Sequence, residues 1–110
     1  MSWYGDPDDL DRLAHHLAGL AERVRDRAGL VRASARAGHW RGRAADAFHG
    51  AVAGEAAVLD RAAGELDDAA ACLHRHAESV RAELARLRAI ERAAEQFVCA
   101  GLARLGELVS

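Results

Sequence analysis

Leu10-Asp11-Arg12-Leu13-Ala14-His15-His16-Leu17-Ala18-Gly19-Leu20-Ala21-Glu22-Arg23-Val24 carries the pattern that decides the fold. Leu10, Leu17 and Val24 recur every seven residues, and Ala14 and Ala21 follow the first two by four. Steps of four and three keep these residues on one stripe of an α-helix, which turns once in 3.6 residues. The series continues through Ala28, Val31 and Ala35, while Leu13 and Leu20 widen it on one side. Just upstream, Asp6-Pro7-Asp8-Asp9 reads as a helix start. Asp6 can cap, proline suits the first helical position, and the acids favour the positive end of the helix.

The pattern stops at Gly38-His39-Trp40-Arg41-Gly42, where two glycines four apart permit a chain reversal. It resumes beyond. Val52, Leu59, Leu66, Leu73, Val80 and Leu87 recur every seven, and Ala56, Ala63, Ala70, Ala77 and Leu84 follow each of the first five by four. Phe48 and Ile90 flank this second series. Small alanines alternating with large side chains let two antiparallel helices approach closely. The reading is therefore all-α: an antiparallel two-helix hairpin forming a single domain over 1–110. Helix 1 spans about 7–37, the turn 38–42, and helix 2 about 43–96. The series falters at Glu91, and Gly101 and Gly106 loosen the chain end, so 97–110 is expected to be a mobile or separately packed tail. Glycines 50, 54 and 64 are expected to weaken helix 2 slightly and to mark close backbone contact.

Composition agrees. Apolar residues make up 51% of 110 residues, with one proline and no threonine, asparagine or lysine. Helix formers dominate and strand formers are scarce. Fifteen arginines face seventeen acids, interspersed along the chain, for a net charge of -2. A nucleic-acid binder would gather its bases into a patch or stripe, so no nucleic acid is expected. No apolar run approaches the roughly 20 residues that span a bilayer, so no membrane insertion is expected. The start, Met1-Ser2-Trp3-Tyr4-Gly5, lacks the positive region of a Sec-type signal.

Folding the chain about residue 40 pairs Ala35 with the region of Ala45, and Leu10 with that of Ala70. Helix 1 then runs out near Leu73, and everything from Val80 to Leu108 overhangs by roughly 45 Å at helical rise. A lone hairpin covers only one stripe of each helix and leaves Leu13, Leu20, Leu30 and the overhang bare, a surface too apolar for a monomer. Two hairpins pairing into a four-helix bundle would cover it. A third helix folding back is the rival, disfavoured because 65–100 holds neither glycine nor proline.

The stretch Trp40-Arg41-Gly42-Arg43-Ala44-Ala45-Asp46-Ala47-Phe48 resembles the signature of the WxG superfamily. These are the small helical-hairpin proteins of the type VII (ESX) secretion systems of actinobacteria and firmicutes. The length, the position of Trp-x-Gly, the Ala-Ala-x-Ala-Phe helix start and the helices on both sides all agree, over most of residues 6–90. The resemblance implies a hairpin that pairs with itself or a related WxG-type hairpin, or acts as targeting partner for a larger toxin. It implies cytoplasmic assembly, then secretion through a membrane ATPase. Trp40 and Gly42 would form the turn and recognition motif. Members often carry Tyr-x-x-x-Asp/Glu after the second helix as an export signal. Here the only tyrosine is Tyr4, and His74-x-x-x-Glu78 has the spacing with histidine in its place. Export is then expected to depend on a partner's tyrosine or on a degenerate His74/Glu78 signal, unless the chain is a chaperone-like subunit of the system. A non-exported helical scaffold or antitoxin-like binding subunit is the alternative.

No catalytic residues, metal or cofactor are expected. The residues three before His15, His16, His74 and His76 are Arg12, Leu13, Ala71 and Leu73, so the Glu-x-x-His signature of di-iron bundles is missing. Ser2, Ser34, Ser79 and Ser110 lie in no nucleophile-elbow or phosphate-loop context. Cys72 and Cys99 would lie about 40 Å apart on one helix, too far to bridge, and are expected to be buried apolar thiols. The interface is expected along Leu10, Leu13, Leu17, Leu20, Val24 and Val31 of helix 1, facing the second series from Phe48 to Ile90. An aspartate at Leu17 or Leu66 should then unfold the chain or abolish assembly.

Overall fold

The computed structural model describes residues 6–37 and 41–109, and they form two helices. Helix α1 spans Pro7–Arg36 and helix α2 spans Arg43–Val109, packed against one another with no strand among the described residues. The protein is an all-α helical hairpin.

Each helix start has a local cause. The Asp6 carboxylate accepts from the Asp8 amide at 2.9 Å, Pro7 fills the first position, and Asp8 and Asp9 lie in the first turn. These satisfy an otherwise orphaned amide and oppose the positive end of the helix. At the other end, the Ala37 amide donates to the Ala33 carbonyl at 3.1 Å. Gly42 has φ of 107°, a left-handed conformation that costs glycine little. Its carbonyl then accepts from the Asp46 amide at 3.0 Å, the first bond of α2.

The second helix does not end near 96. It continues unbroken through Val109, with no separately packed tail. Gly101 and Gly106 each cost only about 1 kcal/mol against alanine. The good helix formers around them suffice to propagate a helix that is already nucleated. The molecule is accordingly long and thin, 101 × 18 × 15 Å. Its radius of gyration is 27.8 Å, against about 13 Å for a compact chain of this length.

The core is made of alanine. Ala14, Ala21, Ala28 and Ala35 of α1 are buried, with Ala45, Ala56, Ala63, Ala70, Ala77 and Val80 of α2. Among the described residues no large side chain is fully covered. The leucine and valine repeats line the flank of this seam and are mostly half-buried.

The pairing also differs from folding at residue 40. Asp11 bonds to His74 and Arg81, Arg25 to Asp67, and Arg32 to Asp60. Ala35 borders a groove with His49, Val52 and Ala53 rather than the region of Ala45. Helix α1 is thus displaced by more than one turn toward the C-terminal end of α2. Val80 is consequently buried beside the start of α1, not overhanging. The overhang begins after Leu84, and every described residue from 85 to 109 is exposed.

Two further expectations fail for the same geometric reason. Cys72 and Cys99 are exposed rather than buried, because neither lies on the seam. Glycines 50, 54 and 64 mark no close approach, since a Cβ built on each meets nothing within 4 Å.

Candidate interaction surface

The alanine rows divide the hairpin into two unlike sides. Consider first the residue four places beyond each buried alanine. On α1 these include Arg25 and Arg32, with Asp11 one heptad before Ala18; on α2 they are Asp60, Asp67, His74 and Arg81. In an antiparallel pair, equivalent flanks lie on the same side of the seam, and here they join. Arg32 donates to Asp60 at 2.5 Å and Arg25 donates to Asp67. His74 Nδ1 donates to Asp11 at 2.8 Å, and Arg81 donates to Asp8 at 2.7 Å and to Asp11 at 2.5 Å. His49 Nε2 donates at 3.1 Å to the Ala35 carbonyl, one of the terminal acceptors that α1 itself cannot satisfy.

These contacts set the local electrostatics. The hydrogen bond from Arg81 holds the Asp11 carboxyl below its ordinary value of 3.8, with His74 contributing in the same direction against partial desolvation. Asp8 and Asp11 in turn raise the Arg81 guanidinium, and Asp67 raises that of Arg25. Exposed pairs of this kind add little stability individually. The order of their charge signs along the heptads instead selects the register.

The residue three places beyond each alanine gives the opposite side. Leu17, Val24 and Val31, with Leu10 one heptad earlier, line α1, while Leu59, Leu66, Leu73 and Val80, with Val52 before them, line α2. All are half-buried except Val80, which is buried. Leu13, Leu20 and Phe48 widen the strip; Leu20 is half-buried, whereas Leu13 and Phe48 are each 47% exposed. The Phe48 ring is tilted against His49 with centroids 5.9 Å apart. Leu84 remains half-buried at the edge of α1's cover, and Leu87 and Ile90 stand out in solvent beyond it.

The structure therefore brings the expected interface residues onto one face, but as a flank and not as the hairpin's own core. One side is latched by ion pairs and the other presents a continuous apolar strip. Trp40, expected as the recognition residue, lies outside the described residues, while Gly42 serves the backbone at the start of α2. His74 is engaged by Asp11, with its Nε2 3.6 Å from Glu78, so this pair belongs to the polar latch. Apart from His74 and Glu78, the latch residues stand outside the apolar pattern, although their charges recur at the same seven-residue interval as the alanines.

Among the described residues, no group of three or more His, Cys, Asp or Glu could hold a metal ion. No described helix is long and apolar enough to cross a membrane. No curated protein and no solved structure matches the chain. A family model described as "Putative T7SS secretion signal domain" matches residues 3–101. That match takes in both helices, the bend between them and most of the overhang, so the chain belongs to this family of type VII secretion signal domains.

Proposed function

We propose that the chain is a WxG-type docking hairpin of type VII secretion, acting by helix–helix pairing and not by catalysis. Its apolar flank lies lengthwise against a second copy or a related hairpin, and the pair assembles in the cytoplasm before export through the secretion ATPase. The observation that carries this reading is the one-sided exposure of the Leu17–Leu66–Leu73 flank in a chain of a secretion-signal family. Completing the burial of a partly exposed leucine is worth about 1 kcal/mol at 25 cal/mol per Å², and the strip offers such residues along both helices. A second hairpin applying the same strip would complete a four-helix bundle.

As a member of a secretion-signal family, the chain is exported together with its companion. The test is an export assay of the culture medium, with the secretion ATPase present or deleted, for the wild-type chain and Trp40→Ala. The expected result is ATPase-dependent appearance outside the cell for wild type, with Trp40→Ala keeping its helicity but losing partner binding or export. Retention of an assembled wild-type chain in both strains would contradict the export role and favour a non-exported scaffold.

A further inference from the structure

The overhang carries a second, separate pattern. From 85 to 109 no described residue is covered by α1, yet an apolar stripe runs its length. Leu87, Ile90, Phe97 and Val98 are exposed by 53%, 58%, 80% and 57%, and Leu105 and Leu108 by 58% and 83%. With Ala94 and Gly101 between them, these residues follow steps of three and four, save the single step from Phe97 to Val98, and fall within about 100° of one helix face. The order of steps reads the same from either end. Leu87 mirrors Leu108, Ile90 mirrors Leu105, Ala94 mirrors Gly101, and Phe97 mirrors Val98. The centre of this symmetry lies between Phe97 and Val98.

We propose that this segment is a tail-to-tail dimerisation site, taken by the same segment of a second copy lying antiparallel, with the two-fold axis between Phe97 and Val98. An isologous contact requires a surface complementary to itself under reversal, and the mirrored stripe meets that condition. Large side chains meet large ones at Leu87–Leu108 and Ile90–Leu105, and small meets small at Ala94–Gly101. Side chains on a helix lean toward its N-terminus, so Phe97 leans over the Ala94 level, which faces Gly101 of the second copy. Gly101 has room for that ring, since nothing lies within 4 Å of a Cβ built there. The flanking charges agree: Arg86 falls on the same flank as Glu107 of the second copy, within one turn. The mirrored stripe from Leu87 to Leu108 lies beyond the part of α2 that α1 covers, and leaves the hairpin flank free for the companion proposed above.

Cysteine cross-linking of the full chain tests both the contact and its direction. In a Cys72→Ser, Cys99→Ser background, Val98→Cys places the two thiols on one side of the axis, within about 1.5 Å along the helices. It should give a covalent dimer on mild oxidation. Leu87→Cys alone and Leu108→Cys alone should not, because each thiol lies about 32 Å from its own copy. A mixture of the two variants should cross-link between chains. Phe97→Glu in the same background should keep the helical signal and weaken self-association at least tenfold. Cross-linking of Leu87→Cys with itself would mean a parallel pair and overturn the proposal. Failure of both Val98→Cys and the Leu87→Cys/Leu108→Cys mixture would overturn it too. Hairpin-flank variants leave this readout unchanged, so it fails or stands independently of the secretion reading.

Discussion

Replacing Ala63 by leucine puts the close-packed seam to a direct trial. Ala63 is completely covered where α2 crosses α1, and Ala28 and Ala56 are equally covered. Three added carbons would gain about 2.4 kcal/mol at ~0.8 kcal/mol each if room existed for them. The seam has none without moving the helices apart. Separation uncovers the neighbouring alanines and stretches the Arg25–Asp67 and Arg32–Asp60 pairs on either side of the site. Overpacking of this kind costs about 1–3 kcal/mol net. At 4–8 °C per kcal/mol for a domain of this order, the melting temperature should fall by roughly 10 °C. The control is Ala57→Leu, an exposed site on the same helix with nearly the same intrinsic propensity, which should stay within about 0.5 kcal/mol of wild type. Thermal melts followed by far-UV circular dichroism at one fixed protein concentration give the comparison. An Ala63→Leu variant as stable as the control, or more stable, would refute the alanine seam and point to helices held apart by their leucines.

Three other perturbations probe the same geometry. Leu66 is half-buried on the flank, so Leu66→Asp should keep the hairpin's helical signal while abolishing assembly, where the charge would be buried unpaired; loss of helix in the isolated chain would return Leu66 to the core. Asp11 titrates below its ordinary value because Arg81 holds its ionised form. Its contribution is thus present above that ordinary value and disappears as pH falls through the lowered one. An NMR titration should show the Asp11 midpoint moving up in Arg81→Ala, and an unchanged midpoint would contradict the latch. Gly42→Ala forces a side chain into φ of 107° and should cost about 1–3 kcal/mol, read as a lower melting temperature; an unaltered melt would mean that the turn has another route into α2.

Much of the hairpin was legible in the chain because its signals are local. The four-three spacing defines both helices, Asp6-Pro7 sets the start of α1, and the glycines around Trp40 mark the reversal. The register was not legible from the apolar pattern, for a physical reason. A repeat of seven superimposes on itself when slid by a heptad, so leucines and alanines alone cannot say which turn faces which. The polar latch removes that degeneracy, because a slide by one heptad would set Arg25 against His74 in one direction and Arg32 against Ala53 in the other. The length of α2 is hidden because Gly101 and Gly106 suggest a loosened end, whereas each is a small penalty inside a favourable run. The leucine repeats read as the hairpin's own core, although the seam between helices this close is filled by alanine. Their spacing shows which face they share but not whose surface covers it.

Presentation of the leucine flank to another chain is tested most directly by native mass measurement of the 11.8 kDa protein, with Phe97→Glu disabling the tail, purified alone and after co-expression with candidate partner hairpins. The expected result is a defined dimer with itself or with one such hairpin, which Leu66→Asp should dissociate. A single 11.8 kDa species under every condition, with a radius of gyration near the compact value of about 13 Å, would contradict it.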